Sequence, residues 1–466
     1  MDRSKELGEG RIGTLLVRFA LPSVIGMVVG ALYNIVDRVF IGRGVGPLAL
    51  AGVTVAFPVQ LIQIAFSVLF GVGTAALISI SLGERDREKA ERVLGNGFSL
   101  VLIVSITIAA LGLSFLDPLL RLFGASAEVL PYAHAFALVV LLGTPFATIS
   151  QGVNGFIRSE GNPRVAMTTQ LIGPVLNTFL CPFFIFVLKL GIVGSALATV
   201  ISQAVGTVWV LSYYLSGRSL LKLRVRNFAP RHEIVTGIVA IGAAVFFSDF
   251  ASAVMNGIMN NQLQRYGGDI AVTAMSIVFA ISNLVFLTLL GINMGVQPII
   301  GFNRGAKLYA RVRRAELLAI GGASVFTSLC YVAVQLFPAA FVSLFAGSAA
   351  DVRDIGVYAL RHYFFVLPLV GAQILGSGYF QAVGKPAHSL ILSLSRQFII
   401  LVPALYILPL FAGLDGVWNA QPVSDFLAFA ITAIFLGREM RSLARMDQAR
   451  EKQAVGQPRV GPTRSN

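Results

Sequence analysis

From residue 93 to residue 116 the chain runs for 24 residues without one charged side chain. Stretches of this kind recur along its whole length. A helix of about 20 apolar residues matches the roughly 30 Å hydrocarbon core of a bilayer, and lipid offers the backbone no other open structure. The hydropathy pattern predicts twelve such spans, near 13–41, 48–82, 93–116, 129–156, 165–188, 191–215, 233–260, 270–303, 315–338, 355–382, 388–410 and 416–437. Only 12% of the 466 residues are charged and 56% are hydrophobic, whereas soluble domains carry about a quarter charged residues. A soluble fold is excluded, and the lack of strand alternation argues against an outer-membrane barrel. The expected class is an all-α polytopic membrane protein. Cys181 and Cys330 both lie in apolar segments, so no disulfide framework is implied. The first apolar run, after the charged MDRSKELGEGR, is too long for a signal-peptide core and reads as a retained helix.

Basic residues set the orientation. Segments on the side of the two termini hold 27 Lys and Arg, against five in the opposite loops (Arg43, Arg121, Lys189, Arg265 and Arg353). The positive-inside rule then puts both termini in the cytoplasm of a cell (inner) membrane. It also accounts for the net charge of +14 without a nucleic-acid partner. The expected partners are the lipid bilayer and small organic molecules, for a protein acting as a monomer.

The halves resemble each other at a spacing of 222 residues: Asn34 with Asn256, Phe57 with Phe279, Gly73 with Gly295, Gly83 with Gly305, Gly191 with Gly413 and Ser202 with Ser424. NGFIRSEGNP (154–163) resembles SGYFQAVGKP (377–386) at a spacing of 223. Six spans per half keep the halves parallel, related by a pseudo-twofold axis along the membrane normal, as in transporters built from parallel repeats. The expected organisation is an N-tail (1–12), a six-helix lobe (13–216), a linker (217–232), a second six-helix lobe (233–437) and an unstructured C-tail (438–466). Two lobes around a central cleft suit alternating access. No GxxxxGK[ST] sequence occurs, so any pumping must draw on an ion gradient. No HExxH or Ser/His cluster lies at membrane depth, so an enzyme is not expected; His134, His232, His362 and His388 lack metal-ligand spacing.

Carboxylates inside spans are costly and usually face a cavity or a partner. Asp37 shares a helix face with Tyr33 and Asn34, while Arg38 points about 100° away. Asp249 and Asp425 are the other intramembrane acids, and Arg396 lies inside the eleventh span, where a structural pairing with Asp425 or backbone carbonyls is expected. Candidate cleft-lining groups are Gln63, Gln151, Asn154, Gln297 and Gln373 with Phe286, polar groups for a ligand's polar end and an aromatic for its apolar body.

YNIVDRVFIG with LALAGVTVAFP (48–58), NNQLQRYGGDIAV (260–272), GINMGVQPIIGFNRGAK (291–307) and SLSRQFIILVP (393–403) resemble motifs of the multidrug and toxic compound extrusion (MATE) family, prokaryotic branch. The resemblance runs through nearly all twelve spans. It implies two six-helix lobes and export of amphipathic, often cationic, organic compounds in exchange for H⁺ or Na⁺, with no other cofactor. By that resemblance Asp37 is the cation-coupling carboxylate, with Asn177, Thr199, Asn34 and Tyr33 around it. Cys181 stands where the family usually has a second Asp. A thiol is a poor ligand for a hard cation, so H⁺ coupling through Asp37 is favoured over a Na⁺ site at Asp37 and Asn177. Asp249, with Asn256, is the candidate second coupling or substrate site. A related flippase for lipid-linked saccharides is the alternative, although only Arg38, Arg361 and Arg396 would make its cleft basic.

Overall fold

The computed structural model describes residues 3–346 and 350–456. Eight stretches are helices long and apolar enough to span a bilayer, and two further spans are bent pairs. Two of the eight are too long to be single spans. Residues His232–Gly305 form 74 residues of continuous helix, about 110 Å if straight, against a core of about 30 Å. The backbone breaks at Gly268, with φ +64°, and the second long helix breaks at Gly413, with φ +56°. The result is twelve spans: α1 (Ile12–Gly44), α2 (Pro47–Gly83), α3 (Arg87–Ser114), α4 (Leu130–Leu142 and Thr144–Ser159, bent 57°), α5 (Pro163–Val187), α6 (Gly191–Leu215), α7 (232–267), α8 (269–305), α9 (Tyr309–Leu336), α10 (Arg353–Tyr363 and Leu367–Ala382, bent 52°), α11 (386–412) and α12 (414–456). They form the two six-helix lobes expected from the repeat.

The repeat extends to the turns. Gly191 and Gly413 turn the chain into α6 and α12 with φ +57° and +56°. Gly46 and Gly268, also 222 residues apart, take φ +118° and +64° before α2 and α8. Residues with a Cβ rarely adopt this backbone conformation.

The lobes meet on the side of the termini. A Cβ on Gly83 would lie 2.0 Å from the Phe302 carbonyl oxygen, and one on Gly305 would lie 2.1 Å from that of Ile80. These contacts are twofold copies of each other, since 80 and 302 are also 222 apart. Gly73 meets the Ile238 carbonyl and Gly295 meets Ala20 in the same backbone-to-backbone manner, the close approach that small residues permit between membrane helices. Each lobe lends the other the start of a span. Leu7, Ile12, Leu15, Leu16 and Phe19 bury themselves in the core of the second half, and Ile238 of α7 joins Leu69, Phe70 and Val101 of the first. Farther along, Ile41 of α1 returns to its own lobe.

The C-terminal end departs from the expectation of an unstructured tail, and the N-tail is ordered too. Arg3–Glu9 is helical, with Leu7 buried. Residues 438–456, expected to be unstructured, continue α12, because Leu443 is buried against the second lobe and Glu439 pairs with Lys385 at 2.6 Å. Residues 457–466 of the expected tail lie outside the described residues. The linker docks on the first lobe: Asn96 Nδ2 donates to the Asn227 carbonyl at 2.9 Å, and Glu91 accepts from the Lys222 amide at 3.1 Å.

Candidate functional site

Asp37, on the far half of α1, is 9% exposed. Ser195 Oγ of α6 donates to its carboxylate at 3.4 Å, and the Cys181 thiol of α5 lies beside it. One turn along α6, Thr199 Oγ1 accepts from Asn177 Nδ2 at 3.0 Å, and the buried Asn177 Oδ1 has no partner among the described residues. Tyr33 is half-buried beside Thr199 and Cys181. Among the described residues no cation lies within ion-pair distance of Asp37; the Arg38 guanidinium sits 5.5 Å from the Phe57 ring centroid instead. Asp37, Tyr33, Asn177 and Thr199 therefore converge. Asn34 does not join them, since it is exposed and its amide donates to Gly30 of its own helix at 2.8 Å. Ser195 takes a place in the cluster that the sequence reading had not assigned. Its spacing of four from Thr199, which puts both on one helix face, was the available signal.

The second lobe holds a cavity of about 630 Å³ between α7, α8, α10, α11 and α12. Asn256, Asn283, Phe286 and Tyr363 line it, with Arg396 and Asp425 among its walls. Arg396 lies in a π-helical turn, Ser395–Ile400, and its Nε donates to Asp425 Oδ1 at 2.7 Å. Such widened turns are frequent at functional sites. Gln421 donates to the same carboxylate oxygen at 2.9 Å, and Ser424 Oγ to the Arg396 carbonyl at 2.6 Å. Asp249 is exposed, does not line this cavity, and has no ion-pair partner among the described residues.

The remaining cleft candidates divide. Gln151, Asn154 and Gln297 line a smaller cavity between the lobes, near the sealed side. Gln63 does not reach a cleft: it is buried within the first lobe, donating to Thr144 Oγ1 at 2.6 Å. Gln373 is also buried, away from both cavities. Gln63 is an amide on a span that packs inside its own lobe, where a neighbour rather than the cleft takes the side chain, whereas Gln373 Oε1 is buried with no partner among the described residues.

The MatE family model matches residues 22–183 and 244–407, one segment in each lobe. The chain belongs to the MatE family. It is a multi-pass membrane transporter of the multidrug efflux class. Among MatE relatives, the multidrug export protein MepA of Staphylococcus haemolyticus (strain JCSC1435) is 27% identical over 95% of this chain and 96% of its own length. MepA of Staphylococcus aureus (strain MSSA476) is 28% identical over 90% and 92%. A structure of MATE in the bent conformation superposes with a TM-score of 0.90 at 28% identity, covering 96% of this chain and 99% of that one. The outward-facing conformation of a multidrug resistance MATE transporter of the MOP superfamily gives 0.88 at 29% identity, over 94% and 98%.

Proposed function

We propose that this MatE protein is an antiporter that exports amphipathic, often cationic, organic compounds by alternating access in exchange for a cation, with H⁺ favoured over Na⁺. The observation that carries the reading is Asp37, a buried carboxylate whose hydrogen-bonding neighbours, Ser195 and Cys181, are both neutral. A charge so placed is costly unless compensated, and a proton neutralises it with no further ligand. Na⁺ would need hard oxygen donors, and Cys181 supplies sulfur. The cavity of about 630 Å³ falls in the range of small-ligand sites, with aromatic walls and amide groups. In this reading the terminus side is cytoplasmic, the sealed arrangement is the one that faces outward, and the transporter works as a monomer in the cell (inner) membrane bilayer with the coupling ion as its only cofactor.

The energetics are sufficient. One charge crossing 100 mV is worth about 2.3 kcal/mol and each pH unit about 1.4. A monovalent cation exchanged for one H⁺ is electroneutral, so the pH difference alone drives it. The test is uptake of a fluorescent organic cation into proteoliposomes under an imposed pH gradient or an imposed Na⁺ gradient. Transport driven by pH and lost in Asp37→Asn is expected. Transport driven by Na⁺ alone would reverse the choice of ion. If neither gradient moved any cation tested, the export reading would give way to the lipid-flippase one.

A further inference from the structure

Arg158, near the end of α4, is a buried cation to which the described residues offer no counter-charge. It is 3% exposed. Its Nη1 donates to Ser23 Oγ at 3.2 Å and its Nη2 to Asn154 Oδ1, while Nε has no partner among the described residues. Both acceptors are neutral, and among the described residues no carboxylate pairs with it. Glu160, two residues on, is occupied by the linker, accepting from Ser219 Oγ at 2.7 Å and from the Leu220 amide at 3.0 Å. An ion taken out of water without compensation is strongly disfavoured.

Arg158 lines the small cavity at the seal, of about 60 Å³. A water needs about 10–15 Å³ on this measure, so the space suits a few waters or one small ion with water, and is too small for a drug-sized molecule. No acidic side chain lines it; Gln151 and Gln170 on one wall and Gln297 on the other bring amide groups to it. Gly26 lets Gln170 approach, since a Cβ there would stand 2.2 Å from the Gln170 side-chain oxygen. The repeat does not require this charge. Gln381 occupies the corresponding place in the second lobe and accepts from Gln297 Nε2 at 3.1 Å.

We propose that this cavity binds a small inorganic monoanion, chloride in the cell, against Arg158. Because Gln297, Met294 and Pro298 of the second lobe form one wall, the site is complete only while the terminus side is sealed. Bound anion would therefore favour that arrangement over the one open at the terminus side. The binding claim stands apart from the export reading, and it is measured without any gradient or transported compound.

The experiment uses purified full-length protein in detergent, with chloride replacing gluconate at constant ionic strength. Two readouts are the thermal unfolding midpoint and chloride-35 NMR line broadening, with bromide as competitor. The expected result is a saturable rise in midpoint together with broadening that bromide reverses. Arg158→Gln should weaken chloride by at least about tenfold, and Arg158→Lys should retain part of the affinity. A wild type with neither chloride-dependent midpoint nor broadening would overturn the proposal, leaving Arg158 to water. Broadening that persists unchanged in Arg158→Gln would overturn it as well. If Arg158→Gln does not fold, the wild-type broadening and its loss in Gln297→Ala decide the matter.

Discussion

Asp37 and Glu160 are both buried carboxylates of the first lobe, and their surroundings give them different work. Asp37 sits at membrane depth with a hydroxyl and a thiol for neighbours, and in the proposed antiport its charge is met by the coupling ion. Glu160 lies in the turn between α4 and α5, and four groups of the chain address it: Tyr213, Tyr214, Ser219 and the Leu220 amide. Burial pushes its pKa up to about 7, and these hydrogen bonds only partly offset that. An acid whose pKa is higher folded than unfolded holds its proton better when folded. The folded state then loses stability as pH rises through the window from about 4.5 to about 7 and levels off above it. Thermal unfolding measured across that window should show the decline, and Glu160→Gln should flatten it. A wild-type midpoint that rises over the same window would contradict the assignment.

At the scale of elements, the tail of α12 behaves as part of the second lobe rather than as an appendage. Its polar, basic composition suggested a solvated tail, yet Leu443 is fully buried and Arg450 donates to the Lys307 carbonyl. Helix continuation costs little once a span has nucleated it, and buried Leu443 with the Glu439–Lys385 pair ties the extension to the lobe. Leu443→Ala should cost about 2–5 kcal/mol, read as a lowered unfolding midpoint of the purified protein. An unchanged midpoint would mean that the tail helix is not held by this contact.

For the whole molecule, the twofold relation of the lobes is expressed most directly at the seal, where Gly83 and Gly305 face each other's partner helices as symmetric copies. Because the contacts are backbone to backbone, a side chain cannot be accommodated by a rotamer change. Gly83→Leu, alone or with Gly305→Leu, should hold the terminus side open and stop transport without unfolding either lobe. A cysteine placed at Gln297 should then react with a thiol reagent from the terminus side many-fold faster than in the parent protein. Equal reactivity would show that the seal does not depend on these glycines.

The sequence by itself determined the number of spans and the parallel repeat, because in lipid every backbone polar group must be met within a helix, and that demand is local. It also singled out Asp37 and Arg396, since a charge inside an apolar run is visible without a fold. Motif resemblance added Asn177 and Thr199 around Asp37. What only the tertiary structure decided are pairings between distant residues. Ser195 reaches Asp37 across 158 positions, Gln63 is spent on Thr144 across 81, and Arg158 meets Ser23 across 135. Whether a buried polar group faces a cleft, a partner or nothing at all depends on which spans are neighbours, and helical periodicity gives only the face each residue lies on. The side on which the lobes close is of the same kind: both halves carry matching glycines, and only their packing shows which end they seal.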